Sequence, residues 1–329
     1  MSYFKGKNII ITGGLGFIGS NLAHSCMKCG SNVTIVDNLD PQAGGNKFNI
    51  QTIENDIKLI TGDICDNNLM ENVLKTADII INCAALSSHT QSLREPYRNL
   101  EVNSTAVLEM LEIIRNHNPE IQFLQLGTTT QIGKCHSVSV DENHPEFPLD
   151  HYSAHKTLAE KYVFMYSQVH GLKTNCIRLP NVYGPRAAIH SPALTFNNYF
   201  IGLALQNKDI TIYGDGCQSR NILYVDDAVD AILDVAEKSN GLGEVYLAVD
   251  DNHITVAEFA EKIVSLYRKG TVRYIPWPEG RKNIEIGDAS YTNKKIKKQI
   301  GWFPKTSLSD GLIKTNDYYY GCLEKYIWQ

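Results

Sequence analysis

Residues 8–22, Asn-Ile-Ile-Ile-Thr-Gly-Gly-Leu-Gly-Phe-Ile-Gly-Ser-Asn-Leu, limit what this chain can fold into more than any other stretch. Ile9, Ile10 and Ile11 form a continuous β-branched run, as in a parallel strand covered on both faces. Gly13, Gly14, Gly16 and Gly19 follow at once, and residues 17–29 read as a helix. The next apolar run, residues 32–37, ends on Asp37, at about the 20-residue offset of an acid that meets a ribose. Strand, glycine turn and helix start make an anion cradle. The glycines let the main chain approach a pyrophosphate, and the helix N-terminus turns unpaired N–H groups toward it. The segment predicts a dinucleotide-binding turn.

Strands and helices alternate downstream. Residues 57–61, 78–82, 121–126 and 173–178 read as strands, 67–76, 95–117 and 152–170 as helices, and 38–56 as an irregular loop or short helix. That rhythm predicts an α/β chain with a Rossmann-type doubly wound parallel sheet. It breaks at residues 180–192, where Pro180, Gly184, Pro185 and Pro192 mark a loop leaving the sheet. Helices at 193–206, 224–238, 255–268, 291–300 and 308–326, with short strands at 210–213 and 244–248, predict a smaller, interleaved C-terminal α/β substrate lobe. The expected division is 1–182 for the nucleotide domain, with 221–250 returning to it, and 183–220 plus 251–329 for the substrate lobe.

With 329 residues, 43% of them hydrophobic, the chain can build a core without metal or disulfide staples. Its eight cysteines are scattered, and Cys26-x-x-Cys29 falls inside a helix with no partners for a zinc set. No metal is expected, and buried free thiols in a reducing cytoplasm are. The net charge of -5 comes without a basic stripe, which argues against a nucleic-acid partner. Lys294, Lys295, Lys297 and Lys298 are expected on a solvated helix face. No apolar run approaches the ~20 residues of a membrane span, and no leader opens the chain, so no membrane partner is expected.

Tyr152-Ser153-Ala154-His155-Lys156 places a phenol and an ammonium at i and i+4, on one face of a helix. A lysine beside a phenol lowers its pKa, and the phenolate can take a hydroxyl proton while hydride leaves the carbon.

These motifs together resemble the extended short-chain dehydrogenase/reductases, specifically the sugar-nucleotide epimerase/dehydratase family, over nearly the whole chain. The resemblance implies NAD as cofactor, held by Gly13, Gly16, Phe17, Ile18, Asp37, Asn38, Asp63, Ile64, Ala84, Ala85, Asn103, Tyr152, Lys156 and Pro180. Asp37 favours NAD over NADP by repelling a 2′-phosphate. The resemblance implies Thr128, Tyr152 and Lys156 as catalytic residues, and a nucleotide-diphosphate sugar as substrate. Contacts to that substrate are expected from Ser88, His89, Thr129, Asn181, Arg220 and Arg281. Arg220 suits a diphosphate because a guanidinium donates in a fork; a surface ion pair with Asp226 or Asp227 is the alternative. His89 is either a second acid/base or a solvated loop histidine. The aromatic stretch at Tyr199 and Phe200 either stacks on a base or packs in the core. The family resemblance also implies a homodimer, with residues 95–117 and 152–170 meeting their symmetry mates in a four-helix bundle.

The exit of the fifth strand, Gly127-Thr128-Thr129-Thr130-Gln131-Ile132-Gly133, bears on the reaction. By resemblance, the 4,6-dehydratases carry Asp-Glu where Thr129 and Thr130 stand, and the decarboxylating relatives keep the Glu. A threonine cannot take a C–H proton at neutral pH without an activating base. Epimerisation at C4 through a transient 4-keto sugar is the leading expectation. The alternatives are a C4 dehydrogenase or ketoreductase, an atypical dehydratase using another base, and, in a different class, a catalytically silent NAD-binding regulator. The chain departs from the family's usual pattern at Gly127, where Ser is common, at Ile132, where Tyr is common, and at residues 278–281, Pro-Glu-Gly-Arg.

Overall fold

The computed structural model describes residues 3–40, 42–135, 139–239, 242–279 and 285–327. The isoleucine run becomes β1 (Asn8–Thr12), with Ile9, Ile10 and Ile11 at most 4% exposed. Ile9 and Ile11 pack into one hydrophobic cluster and Ile10 into another, as a strand covered on both faces requires. The chain continues through α1 (Phe17–Lys28), β2 (Asn32–Asp37), β3 (Lys58–Thr61), α2 (Asn67–Leu74) and β4 (Ile79–Asn82). Residues 38–56 contain two 3-10 turns, Lys47–Ile50 and Glu54–Asp56.

After β4 come a short helix, α3 (His89–Ser92), and α4 (Pro96–Leu100). A π-helical turn, Glu101–Thr105, joins α4 to α5 (Ala106–His117). Then follow β5 (Gln122–Thr128), α6 (His151–His170) and β6 (Lys173–Leu179). The later elements are β7 (Asn181–Tyr183), α7 (Phe196–Leu205), β8 (Ile210–Tyr213), β9 (Ser219–Arg220), β10 (Ile222–Tyr224), α8 (Val225–Lys238) and β11 (Leu242–Leu247). The described chain closes with β12 (Ile254–Thr255), α9 (Val256–Tyr267), β13 (Val272–Ile275), α10 (Lys294–Gln299) and α11 (Leu308–Tyr320).

Seven parallel strands form the main sheet in the order β11-β6-β5-β4-β1-β2-β3. Chain direction across the sheet reverses between β1 and β4, which opens a crevice beyond their C-terminal ends. Three two-stranded pairs stand outside the sheet: β7 with β10, β9 with β12 and β8 with β13. The pair β8–β13 and helices α7 and α9 wall the region in front of that crevice.

Two expectations change. Lys295 does not sit on a purely solvated face; its Nζ donates to the Val245 carbonyl at 2.7 Å and pairs with Glu244 at 2.6 Å, which ties α10 to β11. The eight cysteines are free, but Cys217, just after the Gly214–Gly216 turn, is exposed, and only Cys26 and Cys176 are fully buried. No described helix is long and apolar enough to cross a membrane.

Candidate active site

The glycine turn makes the floor of the first cavity. Gly13 has φ +64°, and a Cβ there would stand 2.8 Å from the Ala84 backbone, so conformation and space both demand glycine. A Cβ on Gly19 would meet the Gly13 carbonyl oxygen at 2.3 Å, so the helix can press onto the turn only with hydrogen at that position. Gly16 caps α1 without a side-chain acceptor, which leaves the first-turn N–H groups directed at the cleft. Asp37 closes β2 and reaches back: Oδ2 accepts the Leu15 N–H at 3.0 Å and Oδ1 the Leu39 N–H at 2.8 Å. Burial pushes its carboxyl above the usual carboxylate range, against the pull of those two bonds. Asp37 therefore braces the turn as well as lining the cleft.

The cavity, about 260 Å³, is lined by Gly13, Gly16, Phe17, Ile18, Asp37, Asn38, Asp63, Ile64, Ala84, Ala85, Thr128, Tyr152, Lys156 and Pro180, among others. Thirteen of the fourteen residues expected around NAD are thus brought together with Thr128. Asn103 stands one step behind. It lies in the π turn and donates to the Leu86 carbonyl at 3.1 Å, beside Asn99 at 2.9 Å, while Val102 supplies the wall. Arg98 was not anticipated. It lines the same cavity and holds Asp63 at 2.6 Å. Burial would raise the Asp63 carboxyl, but the Cys65 N–H and Arg98 outweigh it and hold it below its usual range.

Tyr152 and Thr128 sit on the boundary with a second, larger cavity of about 750 Å³. Asp150 caps α6, its Oδ1 accepting the Ser153 N–H at 2.9 Å. Tyr152 follows in the first turn, and Lys156 lies one turn on, 3% exposed. The Thr128 hydroxyl hydrogen-bonds the Tyr152 phenol. The expectation of a depressed Tyr152 pKa is not met in this environment. Burial first, and then the Asp150 charge, hold the phenol above its ordinary value, with the Thr128 bond opposing them. Lys156 is itself pushed down to about 8 by burial.

Thr128 is held from below. Its N–H donates to Gln131 Oε1 at 2.8 Å, and Gln131 Nε2 donates to Glu160 at 3.1 Å. Glu160 is clamped by Arg178, with both side chains 1% exposed. A Cβ on Gly127 would come within 2.6 Å of Gln131 Oε1, so the missing serine at Gly127 makes room for this glutamine bridge.

The larger cavity is lined by His89, Thr128, Thr129, Thr130, Asp150, Tyr152, Asn181, Tyr199, Phe200, Arg220, Trp277 and Tyr291, among others. Of the residues expected at the substrate, His89, Thr129, Asn181 and Arg220 meet there. Ser88 does not line it; it N-caps α3, accepting the Gln91 N–H at 3.3 Å. Arg281 lies outside the described residues. Arg220 pairs with Glu285 and donates to the Gly287 carbonyl at 3.1 Å. Asp227 is engaged elsewhere, accepting the Lys305 and Thr306 N–H groups at 3.0 Å each. Sequence reasoning also missed Asp150, although an acid three residues before Ser153 has the spacing of a helix cap.

Comparison with known proteins follows the same lines. A family model described as the NAD dependent epimerase/dehydratase family matches residues 9–248. The chain is 31% identical over 317 residues to the low-salt glycan biosynthesis protein Agl12 of Haloferax volcanii, covering 95% of this chain and 99% of that one. It is 29% identical over 322 residues to the dTDP-D-glucose 4,6-dehydratase of Homo sapiens, covering 95% and 90%. Its fold matches a solved UDP-glucose 4-epimerase with UDP-glucose from Thermotoga maritima at a TM-score of 0.85, with 29% identity and 96% and 99% coverage.

Proposed function

This chain belongs to the NAD dependent epimerase/dehydratase family, and from that premise we infer that it is an NAD-dependent nucleotide-sugar epimerase acting at C4. Its cofactor is NAD, and the residues present fit it: a cradle in which a Cβ at Gly13 or Gly19 would collide, an acid at Asp37 and the cleft between them. When bound, NAD supplies the cationic ring and the acceptor for a hydride from a sugar carbon.

The chain's own residues handle the proton and the sugar. Tyr152 takes the proton of the sugar hydroxyl and later returns it. Thr128 holds that hydroxyl's oxygen and the phenol in one hydrogen-bonded line. Lys156, buried in the same wall, supplies the positive charge that favours phenolate once the cationic cofactor ring is in place. Pro180, shared by both cavities, and Asn181 position the sugar at the junction. Arg220 takes the diphosphate by exchanging Glu285 for it. The lobe formed by residues 183–220 and 251–329 closes over the nucleotide, with Tyr199 and Trp277 as candidates for the base.

The observation that carries C4 inversion over dehydration is the pair Thr129 and Thr130, hydroxyls where a dehydratase needs an acid and a base. The free thiols support a reducing, cytoplasmic setting. An apolar stripe on α6, treated below, supports a homodimer.

Incubation of the pure protein with UDP-, GDP-, CDP- and dTDP-hexoses, followed by NMR, tests the reading. A C4-inverted sugar without net NADH is expected. An accumulating keto-sugar with stoichiometric NADH, or a 4-keto-6-deoxy product, overturns C4 inversion.

A further inference from the structure

Beside Tyr152 on the wall of the larger cavity stands a second pair of proton-handling groups. His89 Nδ1 lies 2.8 Å from Asp150 Oδ2, and the carboxylate is 5% exposed while the imidazole is 35% exposed. Asp150 has both oxygens engaged, Oδ1 with the Ser153 N–H and Oδ2 with His89 and the Ser153 hydroxyl at 3.2 Å. Burial alone would raise this carboxyl, but the His89 contact and the Ser153 bonds bring it below its usual range. A carboxylate on Nδ1 fixes the proton there and turns the lone pair to Nε2, which has no partner among the described residues.

Two further features join this pair to the reacting centre. The His89 and Tyr152 rings meet edge to face in direct contact, with centroids 5.2 Å apart, so both side chains stand on the same stretch of the cavity wall and can face one sugar ring from the same side. A chain of hydroxyls also runs between them. Ser153 Oγ lies 3.0 Å from Thr130 Oγ1, and Thr130 Oγ1 lies 3.1 Å from Thr128 Oγ1, the partner of Tyr152. Thr130, in the position where the dehydratases carry a glutamate, is here a link in that chain.

We propose that His89, held by Asp150, is a general base of the sugar pocket that takes the carbon-bound proton next to a C4 ketone. The inference rests on reading the larger cavity as a nucleotide-sugar site, not on C4 inversion. Nε2 of neutral His89 removes a proton from the carbon beside the carbonyl. The C–H electron pair becomes the C=C bond of an enolate, and the carbonyl π pair moves to the C4 oxygen, where Thr128 and Tyr152 donate hydrogen bonds. Imidazolium forms against Asp150. Return of a proton from Nε2 to the same carbon restores the ketone, and exchange of the Nε2 proton with solvent leaves the sugar isotopically labelled.

The test uses the full chain with dTDP-4-keto-6-deoxyglucose and UDP-4-keto-6-deoxyglucose as probes, in D2O. Calorimetric titration measures binding, and NMR follows deuterium at C3 and C5 against a protein-free control. Expected is wash-in above that control, reduced at least about 100-fold in His89→Ala and restored there by free imidazole, a rescue that a merely structural histidine would not show. His89→Gln, closer in size, serves if the alanine variant does not fold, with the same loss expected. Binding without wash-in, or undiminished wash-in in both variants, overturns the proposal and leaves the nucleotide-sugar reading standing. If neither probe binds, the proposal is overturned, and if the GDP- and CDP-sugars fail to bind as well, the nucleotide-sugar reading falls with it.

Discussion

The side-chain oxygen of Gln131 accepts the backbone N–H of Thr128 at 2.8 Å, and Gln131 in turn donates to Glu160, so the threonine proposed to hold the sugar hydroxyl is tethered to a buried ion pair. Glu160 lies on α6 and Arg178 on β6, so the same pair also locks the helix of Tyr152 and Lys156 to the sheet.

Arg178→Met should therefore destabilise the fold by about 3–5 kcal/mol, because it strands the Glu160 charge in the core. Burial would raise Glu160, but Arg178 outweighs it and depresses the carboxyl below its usual range. A depressed carboxylate contributes stability above its unfolded pKa and loses it as pH falls through the folded one. In the variant Glu160 keeps, among the described residues, only the half-exposed Lys161 at 3.3 Å and the Gln131 amide, and protonates more readily. The difference between variant and wild type, measured by urea denaturation, should be widest near neutral pH and narrow on acidification.

Lys156 presents the opposite sign. Burial lowers its pKa to about 8, below the unfolded value of about 10.4. Below pH 8 both states are charged and the desolvation cost is felt in full. Between about 8 and 10.4 the folded state releases its proton first, so stability rises with pH, and above that window it levels. Lys156→Met keeps the volume and removes the charge. It should gain on the order of 2–3 kcal/mol at pH 7, a gain that shrinks across the same window, while turnover of the nucleotide sugar falls by a factor of about 100 or more. Thermal melts at pH 7, 8.5 and 10 check the first part, and product NMR the second.

Both predictions concern burial or a partner that no local pattern displays. The β1 turn and the Tyr152–Lys156 pair were legible because their meaning lies in adjacent residues: β-branched strand, glycines, helix start, i and i+4. Asp150 was passed over because its partner, His89, arrives from 61 positions away. For Arg220, expected on the diphosphate, sequence proximity offers only Asp226 or Asp227 as an alternative ion-pair partner, while the fold supplies Glu285, 65 positions off. Gly127 read only as a departure from family habit until the Gln131 oxygen was seen occupying the space a side chain would need. Asn103 illustrates the same limit, since a π turn shifts the helix face by one residue and no composition signal announces it.

Gly13→Ala isolates the cradle. The residue needs φ +64°, and its new Cβ would fall 2.8 Å from the Ala84 main chain, which has no flexible end to move aside. Strain of about 1–3 kcal/mol is expected, with the turn displaced from Ala84. Affinity for NADH, followed by quenching of intrinsic fluorescence, should fall at least about tenfold, and the melting temperature should drop with it. Unchanged NADH affinity would show that the cofactor does not rest on this turn.

The outward face of α6 bears on assembly. Leu158, Met165 and Val169, at i, i+7 and i+11, fall on one stripe and are 36%, 41% and 67% exposed. Tyr97, at the start of the neighbouring α4, is 86% exposed. The buried face of α6 already packs on α5 and the sheet through Ala159, Val163 and Tyr166, so the stripe is not needed for the monomer's core. Polar replacements there should leave the fold intact and act only on association. The pure protein is expected to run as a dimer by light scattering, and Met165→Glu with Val169→Glu as a monomer with an unchanged circular dichroism spectrum. Because a partner binds only the folded chain, losing it through the association step should also lower the melting temperature. A wild-type monomer at micromolar concentration, or a variant that stays dimeric, would remove α6 from the interface.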